Sequence, residues 1–78
     1  MKYVIKATKF TDDTFNKVVF ENMNISRKVD TFSEAVHILN LDYENATEEK
    51  IQIEFSGTEL ITNNEDGTIL QEWIEKIA

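Results

Sequence analysis

Apolar and polar side chains alternate along most of the first thirty residues, and this period of two is typical of β-strands. Residues 2–10 alternate in this way, residues 15–21 are rich in valine and phenylalanine, and residues 25–29 alternate again. Polar, turn-forming residues at 11–14 and 22–24 separate the three runs. The pattern therefore predicts three strands joined by short turns, as in an antiparallel meander.

The pattern then changes to the period of an amphipathic helix. Thr31, followed three residues later by Glu34, forms a capping box, and apolar side chains recur at positions 32, 35, 36 and 39. We expect this helix to end near Asn40, because asparagine tolerates the left-handed conformation that terminates many helices. Residues 41–49 are mostly polar, and we expect them to form a loop.

The C-terminal third combines both periods. Residues 51–55 alternate apolar and polar side chains, Ser56-Gly57 permits a tight turn, and residues 59–62 suit a fifth strand. The last segment then places five large apolar side chains on one helical stripe: Ile69, Leu70, Trp73, Ile74 and Ile77. This spacing predicts a second helix, with Trp73 as an anchor in the core.

Residues 63–73, NNEDGTILQEW, overlap the start of this predicted helix and also offer a competing interpretation, because their spacing partly matches a calcium-binding loop. Gly67 takes the glycine position and Asp66 takes one of the ligand positions. The last position of such a loop requires a bidentate carboxylate, but here that position is Trp73, which cannot bind calcium in this way. We therefore interpret the stretch as a strand-to-helix turn in which Thr68 caps the second helix.

These elements define the predicted architecture. A chain of 78 residues has the size of one domain, which we assign to residues 1–78. The order βββαββα, without alternating βα units, predicts an α+β fold with a mostly antiparallel sheet and two helices packed on it. No apolar run approaches the ~20 residues needed to span a bilayer, so we expect a cytoplasmic protein that does not interact with membranes.

The amino-acid composition limits which catalytic and metal-binding sites the chain can form. The chain has no cysteine and one histidine, His37, which excludes thiolate sites and two-histidine metal sites. We expect His37 on the solvent side of the first helix. The two glycines are isolated rather than part of a phosphate-binding loop, and the carboxylates lie in polar segments instead of the apolar surroundings that separate the pKa values of an acid–base pair. We therefore predict no cofactor, no metal and no enzymatic activity.

Charge is distributed unevenly along the chain. Net charge is −7, but residues 1–30 contain six basic and four acidic residues, whereas residues 31–78 contain two basic and eleven acidic ones. Carboxylates spaced along a surface resemble nucleic-acid phosphates and attract basic grooves. Tyr43, between Asp42 and Glu44, suits an interface anchor. The predicted partner-binding residues are Asp42, Tyr43, Glu44, Glu48, Glu49, Glu65, Asp66, Glu72 and Glu75.

The charge pattern predicts a small inhibitor that binds a protein partner by occupying its basic nucleic-acid-binding surface. In its small size and its acidity the chain resembles inhibitors encoded by phages and mobile elements, such as anti-CRISPR and anti-restriction proteins. One alternative is a non-catalytic adaptor or accessory subunit, in which the acidic face only keeps the protein in solution. Another is nucleic-acid binding through the basic N-terminal sheet, which carries Lys2, Lys6, Arg27 and Lys28. We expect a protein partner rather than nucleic acid, because the acidic remainder repels phosphates.

Overall fold

The computed structural model describes residues 2–12, 14–47 and 52–77. Within these ranges the chain forms five strands and one helix in the order ββαβββ. The elements are β1 (Lys2–Phe10), β2 (Val18–Asn24), α1 (Phe32–Ala46), β3 (Gln52–Phe55), β4 (Glu59–Asn63) and β5 (Ile69–Ile77). The predicted order βββαββα with two helices is therefore wrong.

The strands form one sheet with the order β2-β1-β5-β4-β3, and every neighbouring pair is antiparallel. The two termini of the chain meet at its centre, where β1 pairs with β5 from Lys2↔Ile77 to Phe10↔Ile69. Helix α1 connects β2 at one edge to β3 at the other and packs across β1, β5 and β4. One face of the sheet is thus covered by α1, and we refer to the opposite face as the helix-free face.

The core lies between α1 and the sheet. Ile5 of β1, Leu60 of β4, and Ala35 and Leu39 of α1 are fully buried there, together with Val29 from the segment before the helix. Burial of aliphatic side chains from both layers contributes most of the favourable free energy of a fold this small. The sequence pattern placed Ile5, Ala35 and Leu39 inward correctly, because each follows the period of its own element.

The predicted second helix is instead strand β5. Its apolar side chains fall on both faces of the sheet: the register puts Ile74 opposite Ile5 on the α1 side, and Trp73 opposite Lys6 on the helix-free face. A central strand that is partly buried on both faces loses the simple alternation of a half-buried strand. Its apolar residues then also match a helical stripe, which is why the prediction failed.

The turn before β5 is consequently a hairpin turn rather than a helix start. The Gly67 N–H donates to the Asn64 carbonyl at 3.0 Å, and the Asn64 N–H donates to the Thr68 carbonyl at 2.8 Å. Asp66 accepts hydrogen bonds from the Thr68 N–H at 3.0 Å and its hydroxyl at 2.6 Å. The Asp66 side chain therefore supports the turn that joins β4 to β5.

The predicted third strand over residues 25–29 does not form as a separate element. The Ile25 N–H donates to the Ile5 carbonyl at 2.9 Å, and Val29 makes an isolated bridge with Tyr3. The segment therefore continues along the same edge of β1 that β2 already occupies. Strand β2 itself begins at Val18 rather than at Phe15, whose φ of 60° places it in the preceding turn.

Helix α1 begins where the sequence predicts and ends later. The Thr31 hydroxyl oxygen accepts a hydrogen bond from the Glu34 N–H at 3.1 Å, which confirms Thr31 as the N-cap. The helix continues past Asn40 to Ala46, which is buried. Residues 41–46 are therefore helical and not part of a loop, since Ala46 and the half-buried Tyr43 give this last part of the helix an inward-facing side.

Candidate functional site

The strand order separates in space the strands of the basic N-terminal part from those of the acid-rich part. Strands β2 and β1, from the basic third of the chain, form one side of the sheet, while β5, β4 and β3, from the acid-rich remainder, form the other. We refer to α1 together with β3, β4 and β5 as the acid-rich half. Because no strand from one half inserts between strands of the other, the strands of the acid-rich half stay together on one side of the sheet.

The predicted acidic residues do not form one continuous surface. Glu72 pairs with Ala7 and Leu60, so it lies on the α1 side of the sheet and is only 4% exposed. Glu75 lies on the helix-free face, where its carboxylate is 3.2 Å from the Lys6 amine. Both belong to the segment predicted as the second helix; because that segment is a strand, Glu72 and Glu75 point to opposite faces of the sheet.

The Tyr43 side chain is half-buried rather than fully exposed. Its ring stacks on Phe55 of β3, with centroids 4.3 Å apart and an angle of 11° between the planes. The Tyr43 side chain is half-buried and packs against the main core cluster. Much of the contact area of Tyr43 is therefore used in packing within the protein.

The remaining predicted residues occupy two places. Asp42 and Glu44 lie on α1, with Asp42 half-buried and Glu44 exposed, and Glu65 and Asp66 are exposed in the β4–β5 turn. Hydrogen bonds from the Thr68 hydroxyl and N–H lower the pKa of Asp66, with a smaller contribution from the positive charge of Lys9. The predicted residues Glu48 and Glu49 lie outside the described ranges.

Asp42 and Glu72, which are thirty positions apart in sequence, line the same pocket. It is an open pocket of about 310 Å³ between the C-terminal half of α1 and strands β4 and β5. Asn45 and Thr62 complete its polar lining. We refer to it as the polar pocket; it brings two predicted acidic residues together with polar groups that the sequence pattern did not identify.

Thr62 is the unusual member of this lining. The residue is 1% exposed, and its hydroxyl oxygen has no hydrogen-bond partner among the described residues. A buried polar atom without a partner destabilises a fold by about 1–3 kcal/mol. In the sequence, Thr62 fits an ordinary β-branched strand residue, and the only available signal was a hydroxyl two positions after the apolar Leu60, on the same face of the strand.

Two of the three lysines of β1, Lys2 and Lys6, form ion pairs with carboxylates of the same chain. Lys2 forms an ion pair with Asp30, and the hydrogen bond from Lys2 lowers the pKa of the Asp30 carboxyl. Lys6 pairs with Glu75, as described above. Arg27 and Lys28 are exposed in the segment that follows β2. The basic sheet surface therefore carries less unpaired positive charge than the sequence alone indicates.

A second surface feature is apolar. Val18 is 45% exposed, Val19 is 57% exposed and Met23 is 50% exposed on the edge strand β2. Within β2 the only charged residue is Glu21, and edge strands that avoid association usually carry several charges or a proline. The β2 edge is thus a second candidate contact surface.

The described residues show neither a metal-binding cluster nor a membrane-spanning helix. These residues contain no group of three or more histidine, cysteine, aspartate or glutamate side chains arranged to hold a metal ion. The helix that they form is too short and too polar to cross a membrane. His37 is exposed on the outer side of α1, which confirms its predicted position.

Comparison of the chain with protein-family models, with curated proteins and with solved structures gives no significant match.

Proposed function

We propose that the chain is a non-enzymatic protein-binding domain whose acid-rich half docks on a basic surface of a partner. The sheet order carries this proposal, because it keeps the acid-rich half on one side of the molecule. Carboxylates collected on one side accelerate encounter with a basic surface and favour it over other partners. A groove that binds nucleic acid is such a surface, so the domain would inhibit a nucleic-acid-handling protein by occupying that groove.

Three exposed carboxylates define the proposed docking surface. Glu44 projects from α1, and Glu54 and Glu59 line one shallow pocket at the β3–β4 hairpin. The hairpin lies at the opposite end of the strand order from β2 and β1, and β1 carries Lys2, Lys6 and Lys9. A basic partner therefore approaches this end without repulsion from the basic side.

The test compares two variants of equal net charge. One carries Glu44→Gln, Glu54→Gln and Glu59→Gln, and the control carries Asp12→Asn, Glu21→Gln and Asp30→Asn on the basic side of the molecule. Each immobilised protein is incubated with nuclease-treated lysate of the cells in which the protein acts, at low and high salt. After the nuclease has been inactivated, duplex DNA is added to a second portion of the lysate as a competitor.

The proposal predicts a basic partner that binds the unmodified domain and the control. Salt, duplex DNA and the triple substitution at the docking surface should each release it, because all three weaken contacts between carboxylates and basic groups. A partner that stays bound to the docking-surface variant at high salt would overturn the proposal.

The exposed side chains of β2 favour a second candidate function, that of an adaptor that binds through apolar contacts. Binding of this kind would be insensitive to salt and would be lost in a variant carrying Val19→Ser and Met23→Ser. The same capture experiment therefore separates the two functions.

A further inference from the structure

We propose that the polar pocket receives one arginine side chain of the partner. This inference rests on the proposed function, since it assigns a position for a basic group within the acid-rich half. The pocket lies between α1, β4 and β5, and its volume of about 310 Å³ is at the small end of ligand-binding pockets. This volume is large enough to admit one arginine side chain.

The pocket lining combines apolar surface with carboxylates, and an arginine side chain contacts both. Ile25, Ala46 and Leu70 supply apolar surface for the three methylene groups of the arginine stem. Asp42 and Glu72 supply carboxylates for the charged end. A guanidinium group is favoured over an ammonium group because it carries five donors in a plane and is more weakly hydrated, so it is transferred into a partly buried site at lower cost.

The Thr62 hydroxyl is the independent observation that points to a ligand. It is almost completely buried, it lines the pocket, and its oxygen accepts no hydrogen bond from any described residue. A guanidinium N–H in the pocket would donate to this oxygen and remove the cost of leaving it without a partner. Asn45 adds an amide oxygen as a further acceptor on the helix side.

The experiment measures binding of Nα-acetyl-arginine amide by ¹⁵N–¹H correlation spectra of the complete chain. The matched probe is Nα-acetyl-citrulline amide, which has nearly the same shape as the arginine probe but carries no charge. We expect saturable shifts at Asp42, Asn45 and Thr62 with the arginine probe, with a Kd on the order of 1 mM for one side chain, and at least tenfold weaker binding of the citrulline probe. Equal shifts with both probes, or no saturable shift at the pocket, would overturn the inference.

Two substitutions localise the binding. Asp42→Asn should weaken the arginine probe about tenfold or more, because a charge-assisted hydrogen bond is lost, whereas Glu21→Gln, at an exposed position of β2 outside the pocket, should leave its affinity unchanged. Equal loss in both variants would mean that the probe responds to net charge alone, and would overturn the pocket assignment.

Thr62→Val removes the hydroxyl and keeps the shape, so it should weaken the arginine probe severalfold without lowering the Tm of the free protein. Thr62→Ser, which keeps the hydroxyl, should bind as the unmodified chain does. A lower Tm for Thr62→Val with unchanged probe binding would show that the hydroxyl has only a structural role, and would contradict the inference.

The probe titration also separates this inference from the proposed function. A partner that salt releases, combined with no probe binding, would retain docking through the acid-rich half and reject the arginine pocket. Specific probe binding with no captured basic partner would retain the pocket and reject the docking proposal.

Discussion

The ring of Tyr43 on α1 stacks on the ring of Phe55 on β3, with centroids 4.3 Å apart and planes 11° from parallel. This contact joins the last turns of the helix to the outermost strand of the acid-rich half. It also gives a reason why the helix continues beyond Asn40, whose side-chain amide donates to the Val36 carbonyl at 3.0 Å and so remains part of the helix.

Removing one ring of this pair should destabilise the fold. We expect Tyr43→Ala to lower the free energy of unfolding by about 2 kcal/mol, from lost burial and lost ring stacking. Tyr43→Phe keeps the ring and should remain within about 0.5 kcal/mol of the unmodified protein. Urea denaturation followed by circular dichroism measures both values. If Tyr43→Ala were as stable as Tyr43→Phe, the stacking would contribute nothing to stability.

The N-cap of α1 gives a second prediction. Thr31→Ala removes the acceptor for the Glu34 N–H and should lower the free energy of unfolding by about 1 kcal/mol. Thr31→Ser retains the hydroxyl and should change it by a few tenths at most. Ser33→Ala, at an exposed position in the first turn, is the control for a general effect of alanine there. A Thr31→Ala protein no less stable than Ser33→Ala would contradict the assigned role of the cap.

The β4–β5 turn depends on the backbone conformation of Gly67. Its φ is +88°, and beyond Gly67 itself and its two chain neighbours no heavy atom lies within 4 Å of the position that a Cβ would occupy. Any cost of Gly67→Ala therefore comes from the backbone, and we expect a loss of about 1–2 kcal/mol in unfolding free energy. Gly67→Asn should cost less, since asparagine adopts positive φ more readily. Thermal unfolding of the two variants checks this order, and the reverse order would show that the turn does not need this conformation.

The same turn predicts a pH effect. Hydrogen bonds from the Thr68 hydroxyl and N–H hold the pKa of Asp66 below its ordinary value of 3.8. A carboxyl whose pKa is lower in the folded state stabilises the protein above its ordinary pKa, and this contribution disappears as the pH falls through the lowered value. Thr68→Val removes the hydroxyl donor and should raise the pKa of Asp66 toward its ordinary value, while Thr68→Ser should leave it low.

The side-chain carboxyl ¹³C resonance of Asp66, followed between about pH 2 and pH 5 where carboxyls titrate, measures this directly. Identical midpoints in the unmodified protein and in Thr68→Val would mean that the hydroxyl donor does not determine the pKa. The backbone N–H donor is retained in both variants and so does not affect the comparison.

Local sequence signals were reliable where the structure depends on neighbouring residues. The Thr31 cap, the alternation of β1 and the turn at Gly57, whose φ is +93°, all follow from interactions within a few positions. Their energies come from capping hydrogen bonds and backbone conformation, and these are determined by residue type and spacing alone.

The candidate site was less predictable because the positions of its residues depend on whether residues 69–77 form a helix or a strand. Residues 69–77 fit a helical stripe and a central strand about equally well, and the choice was made by hydrogen bonds to β1 at the other end of the chain. As a strand, the segment buries Glu72 in the wall of the polar pocket and turns Glu75 to the opposite face. No pattern within the segment specifies that outcome.

Net charge and its division between the two parts of the chain are properties of the amino-acid sequence, and folding does not change them. Their arrangement in space depends on the strand order, which only the tertiary structure decides. Antiparallel pairing of β1 with β5 joins the two ends of the chain at the centre of the sheet and leaves the basic and acid-rich strands on either side. The physical reason is that backbone hydrogen bonds between strands join residues far apart in sequence, so a pattern along the chain indicates which residues are buried but not which strands are neighbours.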